Sequence, residues 1–464
     1  MATAFSPLQA ASIGADVMLT GALKPPAVAR RQAARLARLL DRAARDSPLY
    51  RRLLRGATPA QTPLESLPPM GKRELMQRFD EWVCDPALRL QELREFVADP
   101  ARIGEPCLGK YTVWESSGTS GEPGIFVQDG HAMAVYDALE AVRRSTPRPW
   151  QRVLDPLQMV ERNAFVGAID GHFASHVTML RLQRLNPWAT VQSFSIMEPA
   201  ATLAAQLDAF APTVLASYPT AAVFLAEQAA AGALAIRPRE VWTGGEALTP
   251  AMRERLKQVF GCSVRNSYGS SEFIASGWEC SQGRLHANSD WVILEPVDAE
   301  HRPVAPGERS HTTLLTNLAN HVQPLIRYDL GDQILIHAAA CECGSPFPSF
   351  EIGGRIDESL TMDGRDGRPV TLLPMALAGV MEDEAAVFDF QLSQKDGRTL
   401  GLRLGPKEGG ASGPAFARSR DALKAYGQRQ GVVPLRVVAQ AGPPVAHCRS
   451  GKVQRIVGLP KPVG

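Results

Sequence analysis

The residues best suited to chemistry begin with a run of small hydroxyl and glycine residues, Ser116-Ser-Gly-Thr-Ser-Gly-Glu-Pro-Gly124. The run follows a strand-like segment, Tyr111-Thr-Val-Trp, so it is predicted to form a loop. Glycine lets backbone N–H groups turn toward an anion and the hydroxyls add donors, which suits a polyphosphate. No Lys-Ser/Thr pair closes the loop, so a Walker A motif is excluded. A flexible surface turn has the same composition and stays an alternative.

Three further motifs combine carboxylates with glycine and aromatic or basic residues. In Ser267-Tyr-Gly-Ser-Ser-Glu272 the ring could stack on a base, and Glu272 offers the hard oxygen ligand that Mg²⁺ prefers. In Arg327-Tyr-Asp-Leu-Gly-Asp332 the last carboxylate could accept two ribose hydroxyls. The fourth motif, Gly354-Arg-Ile-Asp-Glu358, lies at the suspected boundary between two domains. Taken singly, the first of these motifs is more often an ordinary loop, and a turn or a surface ion pair is the alternative for the other two.

Four residues with metal-ligand chemistry fall into two groups. Cys280 and His286 follow the second motif, and Cys341 and Cys343 follow the third. Together they could close a tetrahedral Cys₃His zinc site, which would be structural because all four positions are filled. The alternative is three reduced cysteines and a surface histidine. The other cysteines have no such neighbours and are predicted to be packing residues: Cys84, Cys107, Cys262 and Cys448.

Hydrophobic spacing predicts the elements that position these motifs. Residues 24–85 form an N-terminal helical cap, with one amphipathic helix over 28–54 and a short helix over 71–79. Residues 213–243 read as strand, helix and strand, which indicates an α/β unit with a largely parallel sheet.

A helix is predicted to begin at Thr249-Pro250 and to end at Gly261. The loop before it, Thr243-Gly-Gly-Glu-Ala, joins a strand end to a helix start, where α/β sheets bind ligands. Residues 387–392, 400–404 and 435–439 are predicted strands around a helix at 415–429, enough for a small α+β domain. That region ends in a polar loop, Ser450-Gly-Lys-Val-Gln-Arg.

Composition narrows the classes of function. The chain has 464 residues, 45% of them hydrophobic, so at roughly 150 residues a domain it should hold two or three domains. Lys and Arg number 50 against 48 Asp and Glu, which leaves no basic excess for nucleic acid. Seven cysteines and a start without a charged signal-peptide region indicate a cytoplasmic protein. Prolines and Glu227 interrupt the most apolar stretch, so no membrane span is expected.

In their order along the chain, these motifs resemble the adenylate-forming superfamily of acyl- and aryl-CoA ligases, peptide-synthetase adenylation domains and luciferases. Ser47-Pro-Leu-Tyr-Arg-Arg and Leu67-Pro-Pro-Met-Gly-Lys72, with the compact length, are similar to its phenylacetate-CoA ligase branch. The resemblance covers residues 29–457. It implies an α/β fold with mixed and parallel sheets in a large N-terminal domain, residues 1–354, and a small mobile α+β lid domain, residues 355–464, hinged at Asp357.

The resemblance also assigns roles to residues. Those implied to bind ATP are Ser117, Gly118, Thr119, Ser120, Gly121, Gly244, Gly245, Glu246, Tyr268, Gly269, Ser271, Asp332 and Arg355. The first five would wrap the β- and γ-phosphates, the next three would line the adenine and acyl pockets, and Tyr268 would stack on adenine. Asp332, assisted by Arg355, would hold the ribose.

Three residues are implied to act in catalysis: Glu272 as the Mg²⁺ ligand, Asp357 as the hinge, and Lys452 as the mobile cation at the acyl-phosphate centre. A lysine brought in by a closing domain would stabilise charge on the α-phosphate and exclude water. A structural zinc occurs in some members of the branch. There are three departures from the family pattern. Glu122 stands where many relatives have lysine, Glu358 stands where a second aspartate is usual, and the segment 361–369 is longer and more polar than is usual.

The acyl pocket is expected around Phe165, His172 and Tyr218, with apolar and aromatic residues that suit an aryl or medium acyl group. His172 could contact the substrate carboxylate, although a lone histidine beside aromatic residues is more often a structural residue.

The function expected is an ATP- and Mg²⁺-dependent ligase that activates an aryl or acyl carboxylic acid as an acyl-adenylate and transfers the acyl group to the thiol of CoA. A phosphopantetheine thiol on an acyl carrier protein stays open as the acceptor, and a homodimer stays open as the oligomeric state. A different class, a non-catalytic nucleotide- and zinc-binding module, is the remaining alternative. Retention of Glu272, Asp332 and Lys452 together argues against that module.

Overall fold

The structure is a computed structural model that describes residues 7–116, 123–143, 161–185, 190–355, 360–372, 374–406, 413–445 and 453–459. The chain forms two compact units. The first comprises residues 1–195, 265–330 and 334–351, and the second comprises residues 196–264, 331–333 and 352–464. The domain boundary between residues 354 and 355 and the hinge at Asp357 stay predictions.

The helices, in chain order, are α1 (Pro7–Gly21), α2 (Pro25–Asp46), α3 (Pro48–Leu53), α4 (Lys72–Gln77), α5 (Phe79–Trp82), α6 (Leu90–Ala98), α7 (Gly130–Arg143), α8 (Ala174–Leu185), α9 (Ala200–Phe210), α10 (Pro219–Ala230), α11 (Pro250–Phe260), α12 (Pro374–Gly379) and α13 (Pro414–Arg429). A π-helical turn, Val380–Glu384, follows α12. Helices α2 to α5 lie within residues 24–85, where the helical cap is predicted.

The single helix predicted over residues 28–54 is wrong, because the chain breaks at Ser47. The backbone of Ser47 is extended (φ −96°, ψ 119°), and its hydroxyl accepts a hydrogen bond from the N–H of Tyr50. Pro48 then starts α3 without an N–H to donate. A Ser-Pro pair at this point is therefore a cap that divides one amphipathic stretch into two helices.

The strands, in chain order, are β1 (Thr112–Glu115), β2 (Ile125–Gln128), β3 (Arg162–Gly167), β4 (Thr190–Ser195), β5 (Val214–Ser217), β6 (Glu240–Thr243), β7 (Ser263–Tyr268), β8 (Gly277–Glu279), β9 (Leu285–Ala287), β10 (Val292–Val297), β11 (Thr312–Asn317), β12 (Tyr328–Asp329), β13 (Asp332–Ile336), β14 (Ser349–Arg355), β15 (Leu360–Asp363), β16 (Pro369–Leu372), β17 (Phe390–Gln394), β18 (Thr399–Leu404), β19 (Arg436–Ala439) and β20 (Ile456–Val457).

The first unit combines a hairpin, parallel strands and antiparallel strands around one apolar core. Strands β1 and β2 are antiparallel neighbours, and β3 and β4 pair in parallel. Strand β8 pairs antiparallel with β7 and β9, and β9 with β14, while β10, β11 and β12 form a separate antiparallel sheet. The largest fully buried side chains of its core are aromatic: Tyr50, Phe79, Trp82, Phe96, Trp114, Phe126, Tyr136 and Phe273.

The second unit holds the predicted strand–helix–strand segment. Strands β5 and β6 pair in parallel with α10 between them in sequence, as predicted. The hydroxyl of Thr249 accepts from the N–H of Met252 and caps α11, and Gly261 ends that helix in the left-handed conformation (φ 63°), also as predicted.

Residues 360–457 of the second unit have their own buried core. A four-stranded sheet has the order β19-β18-β17-β20, in which β17 and β18 are antiparallel and the outer pairs are parallel. With α13 this is the α+β arrangement predicted, and the α/β fold with mixed and parallel sheets is confirmed for the chain. In the part of the chain that is described, no helix combines the length and apolar character needed to cross a membrane.

Candidate functional site

The predicted phosphate loop leaves β1 and returns in β2, and two hydrogen bonds close its base. The N–H of Ser116 donates to the carbonyl oxygen of Gly124 (2.8 Å), and the N–H of Gly124 donates to Ser116 Oγ (2.8 Å). A Cβ at Gly124 would meet the Phe126 ring at 3.0 Å and Lys72 Cδ at 3.2 Å, so glycine suits this return. Residues 117–121 lie outside the described residues, and their phosphate-binding roles stay predictions.

The second predicted loop, residues 268–272, makes a tight turn after β7. The N–H and carbonyl groups of Ser270 and Phe273 bond to each other at 3.1 and 3.2 Å. A Cβ at Gly269 would lie 2.0 Å from the carbonyl oxygen of Ile274, a distance no side chain tolerates. Tyr268 is mostly buried with its ring edge-on to Phe350 at 5.4 Å. Its stacking on adenine stays a prediction.

These two loops are joined by side chains of the first unit's core. The indole N–H of Trp114, in β1, donates to the carbonyl oxygen of Ser271 (2.8 Å). The amide of Asn317 donates to the carbonyl oxygen of Glu272 (3.0 Å) and to the hydroxyl of Tyr136 (2.9 Å). The strand that enters the phosphate loop is therefore fixed against the loop that carries the predicted Mg²⁺ ligand.

Glu246, of the predicted Gly-Gly-Glu loop, is bound to the start of α10 in the second unit. Its Oε2 accepts from the N–H of Thr220 (3.2 Å) and from the Thr220 hydroxyl (2.7 Å). Tyr218, predicted to line the acyl pocket, is the N-cap residue of the same helix. Glu246 Oε1 is buried and has no hydrogen-bond partner among the described residues. A buried acceptor in this position suits an N–H or O–H donor of a bound ligand.

The structure brings together Asp332 and Arg355, the two residues predicted to hold the ribose. Arg355 Nη1 donates to Asp332 Oδ1 at 3.1 Å, and the two side chains are 37% and 14% exposed respectively. Gly331 and Gly354, the residues before them, have positive φ angles of 71° and 105°. A carboxylate accepts about four hydrogen bonds, so one bond from Arg355 is compatible with a bound ligand.

His172 is fully buried and has structural contacts. Its Nε2 lies 3.2 Å from the carbonyl oxygen of Asp99, to which it donates, and its ring packs against Phe96 at 5.2 Å. Burial lowers the pKa of His172, so Nδ1 is an acceptor in this neutral ring and cannot donate to a carboxylate. The predicted carboxylate contact stays a prediction that this hydrogen bonding does not favour. Phe165, in β3, is also buried.

The four predicted metal ligands form one cluster in the first unit. The ligand atoms of Cys280, His286, Cys341 and Cys343 all lie within 4.8 Å of one another. The Sγ atoms of Cys280 and Cys341 are 3.9 Å apart, and Cys343 Sγ is 3.4 Å from His286 Nε2. Zinc bonds of about 2.3 Å to sulfur and 2.0 Å to nitrogen separate tetrahedral ligands by about 3.5–3.8 Å. The geometry of the cluster therefore fits zinc.

The surroundings of His286 prepare it to be a ligand. Its Nδ1–H donates to the carbonyl oxygen of Phe347 (2.8 Å), which leaves the lone pair of Nε2 toward the cysteines. Trp278 stacks on the ring at 5.2 Å, and burial lowers the pKa of His286 and so favours the neutral form. Cys84, Cys107 and Cys262 are free thiols whose pKa burial raises, as expected of packing residues.

Asp357 and Lys452 lie outside the described residues, but the segment that follows Lys452 is described. The carbonyl oxygen of Arg455 accepts from the N–H of Leu392 (2.7 Å), and β20 pairs in parallel with β17. Sequence reasoning missed Arg455 and its buried partner Glu382. The available signal in the sequence was the Gly-Lys-x-x-Arg spacing, which puts an arginine three residues after the predicted catalytic lysine.

Comparison with known proteins finds a family model and a curated relative that each match part of the chain. Residues 174–309, less than half of the chain, match a family model described as AMP-binding enzyme. A 101-residue stretch is 29% identical to Protein CapK of Staphylococcus aureus and covers 22% of this chain and 21% of that protein. The chain thus spans about a fifth of the length of this curated relative.

Solved structures match over far more of the chain. A 2-hydroxyisobutyryl-CoA ligase in the postadenylation state, in complex with 2-HIB-AMP, has a TM-score of 0.68 at 21% identity and covers 92% of this chain and 88% of its own. A benzoate CoA ligase from Burkholderia xenovorans LB400 has a TM-score of 0.53 at 18% identity and covers 80% of this chain and 73% of its own. These likenesses show the fold, and with the family model they support the resemblance to the adenylate-forming superfamily.

Proposed function

We propose that the chain is an ATP- and Mg²⁺-dependent carboxylate:thiol ligase that makes an acyl-adenylate and then a thioester of CoA. The observation that carries the proposal is the bond from Trp114 to the carbonyl oxygen of Ser271. It joins the strand that precedes the hydroxyl- and glycine-rich segment to the loop that carries the buried Glu272. Hydroxyls, glycines and a carboxylate are the groups that a triphosphate with its metal ion requires.

In the first step, a carboxylate oxygen of the acid attacks the α-phosphorus of ATP. The bond from that phosphorus to the bridging oxygen of pyrophosphate breaks, and no proton is transferred because the acid enters ionised. Residues 117–121 would donate to the β- and γ-phosphates, and Asp332 with Arg355 would hold the ribose. Glu272 would hold Mg²⁺, which offsets phosphate charge when bound. Lys452 would stabilise charge that develops on the α-phosphate.

In the second step, the thiol sulfur attacks the acyl carbon and loses its proton, and the bond from that carbon to the AMP oxygen breaks. Residues 355–464 would rotate about Asp357 between the steps. CoA is the proposed acceptor because the structural neighbours include a 2-hydroxyisobutyryl-CoA ligase solved in complex with 2-HIB-AMP and CoA. The competing acceptor is a phosphopantetheine thiol on a carrier protein.

The proposed acid is an aryl or medium-chain acyl acid, and the proposed branch is that of phenylacetate-CoA ligases. Phe165 and Tyr218 are apolar aromatic side chains suited to such a pocket. We also propose that Cys280, His286, Cys341 and Cys343 hold a structural zinc. With four protein ligands the ion would have no open position, so it would stabilise the fold and take no part in the chemistry.

The test is pyrophosphate release by the full chain with ATP, Mg²⁺ and a panel of aryl and acyl acids. We expect release that depends on one class of acid, and Lys452→Ala should lower it by about a hundredfold or more while ATP binding is kept. Adding CoA or a phosphopantetheinylated carrier protein then identifies the acceptor. Absence of acid-dependent release with every acid would overturn the proposal in favour of a non-catalytic nucleotide- and zinc-binding module.

A further inference from the structure

The proposed zinc ligands come from two segments of the first unit that are far apart in sequence. Cys280 and His286 lie on one segment, and Cys341 and Cys343 lie on the other, with 61 positions between the first cysteine of each segment. Strands β9 and β14 join the segments, with His286 paired opposite Ser349. A ligand set divided in this way depends on groups that hold the two segments together.

Arg143, the last residue of α7, contacts both segments from outside them. Its Nη1 donates to Oδ1 of Asn288 at 2.8 Å, two residues after His286. Its guanidinium carbon lies 4.1 Å from the centroid of the Phe347 ring, four residues after Cys343. One side chain thus joins the segment that carries the histidine to the segment that carries two of the cysteines.

The contact with Phe347 leads directly to a ligand. The carbonyl oxygen of Phe347 accepts from the Nδ1–H of His286 (2.8 Å), and this bond leaves Nε2 to face the cysteines. The N–H of Ala287 donates to the carbonyl oxygen of Pro348 (3.0 Å), so the next residues of the two segments are joined as well. The ring beneath the guanidinium and the carbonyl that orients the histidine therefore belong to one buried residue.

The guanidinium of Arg143 is itself fixed. Asp290, which is fully buried, accepts from Nη1 at 2.6 Å and from Nη2 at 2.7 Å. Arg35, in α2, donates to the carbonyl oxygen of Asp290 (2.6 Å). A buried ion pair is a costly way to stabilise a core, because apolar residues of similar size often serve equally well. A bidentate guanidinium does, however, have a set orientation, which allows it to hold an aromatic ring in place.

We propose that Arg143 is a positioning residue for the Cys₃His cluster, which holds the two ligand segments together and, through Phe347, sets the orientation of His286. This role rests on the structural zinc proposed above. Groups that orient a metal-bound histidine raise the affinity for the metal, and their loss typically costs about 10–100-fold. Zinc affinity, and not ligase activity, is therefore the quantity that Arg143 should control.

The chain offers a matched pair of substitutions. Arg143→Lys keeps the positive charge but replaces a planar fork by one ammonium group, so the bidentate pairing and the stacking on Phe347 are both lost. Arg181→Lys makes the same change in another largely buried pair, since Arg181 Nη1 lies 2.9 and 2.7 Å from the two carboxylate oxygens of Asp137. That pair joins α8 to α7 and serves as the control.

The experiment titrates the zinc-loaded full chain with a chromophoric chelator and measures the Kd for zinc. We expect Arg143→Lys to raise the Kd at least about tenfold and Arg181→Lys to leave it within about twofold of wild type. The difference in Tm with and without zinc should shrink in Arg143→Lys, since the stabilisation by a ligand depends on its Kd. A merely structural role would lower both Tm values equally and leave the Kd unchanged, and that result would overturn the proposal.

Phe347→Leu tests the same link from its other side, and also does so if Arg143→Lys does not fold. It removes the ring but keeps the carbonyl that bonds His286, and we expect the Kd to rise at least about tenfold. Phe96→Leu is the matched control, because the Phe96 ring is buried 4.2 Å beneath the guanidinium of Arg102, and it should leave the Kd unchanged. Wild-type affinity in Phe347→Leu would overturn the proposal.

The double variant Arg143→Lys/Phe347→Leu shows whether the two residues act together. Because both changes break one contact, its Kd should lie within about twofold of that of the weaker single variant. Effects that multiply would mean that the two residues act independently and would overturn the link through Phe347.

Failure of the zinc site and failure of the role of Arg143 give different results. Absence of zinc from wild type would overturn both, whereas an equal Kd in wild type and Arg143→Lys would overturn the role of Arg143 alone. Neither result depends on pyrophosphate release, which tests the proposed ligase reaction separately.

Discussion

Arg355, the last residue of β14, donates to the carboxylate of Asp332, the first residue of β13, at 3.1 Å. The residue before each of them is a glycine with positive φ, Gly331 and Gly354. The pair is partly exposed, so the carboxylate can meet a ligand while the guanidinium sets its orientation. Such an arrangement suits recognition of a diol, since a fixed carboxylate can accept from two neighbouring hydroxyls.

Asp332→Asn should weaken ATP binding more than it slows the chemistry. The amide keeps the shape but loses the charge, and hydrogen bonds to a charged group contribute about 1.5–3 kcal/mol. We therefore expect KM for ATP to rise about tenfold or more, measured by pyrophosphate release against ATP concentration. Asp298→Asn removes an acid from an exposed pair with Arg302 and should leave KM unchanged. An unaltered KM in Asp332→Asn would contradict the ribose role.

The Cys₃His cluster should bind one zinc ion per chain, measured by elemental analysis of protein purified without chelator. Cys341→Ser/Cys343→Ser removes two ligands, so we expect loss of the metal and a fall of at least about 5 °C in Tm. Cys262→Ser, outside the cluster, should keep both the metal and the Tm. Substoichiometric zinc in wild type, or an unchanged Tm in the double variant, would count against the site.

Local patterns predicted the elements best where caps and periodicity agree. Thr249 and Gly261 cap the two ends of α11, as predicted from their residue types. The alternation of β-branched and helical segments between residues 213 and 243 correctly predicted β5, α10 and β6. The end of α2 at Ser47 was not predicted, because the helical spacing of apolar residues continues through it. The Ser-Pro pair is nevertheless a capping signal that could have been used.

Contacts between segments distant in sequence could be predicted only where the residue types have few possible roles. Cysteines and histidine predicted the metal cluster across a separation of about 60 residues, since few other roles suit four such ligands. Nothing comparable marks Arg143, which makes a bidentate pair with Asp290 at 2.6 and 2.7 Å inside the first unit. A buried arginine and an exposed one look alike in sequence, so that pair and Glu382 with Arg455 became visible only in the folded chain.

Gly269→Ala should disable the site without unfolding the chain. Its Cβ would lie 2.0 Å from the carbonyl oxygen of Ile274, so the turn that carries Ser271 and Glu272 has to move. We expect adenylation to fall at least about tenfold, measured as pyrophosphate release, because small displacements of binding groups are costly. Gly14→Ala is the matched change within α1, where nothing lies within 4 Å of the added Cβ, and it should keep full activity. Wild-type activity in Gly269→Ala would show that the turn adapts.

The free energy of unfolding should depend on pH through the neighbouring rings of His131 and His321, whose centroids are 5.8 Å apart. Burial lowers the pKa of both, nearby arginines lower it further, and Asp129 opposes the shift. The neighbouring His131 also lowers the pKa of His321. Below the ordinary histidine pKa of about 6.5, the unfolded chain therefore binds more protons than the folded chain. The free energy of unfolding should be highest above that pH and should fall as the pH decreases.

His321→Gln removes one of these groups and should flatten the dependence between pH 7.5 and 5.5. The reduction can reach about 1.4 kcal/mol per pH unit, the slope for one proton, measured by urea denaturation at a series of pH values. His172 and His176 shift in the same direction, so wild type and variant are compared by the difference of their slopes. His311→Gln, at an exposed position, should leave the slope as it is. Equal slopes for His321→Gln and wild type would mean that the paired rings do not set this response, because removing a group that charges only on unfolding has to change the number of protons taken up.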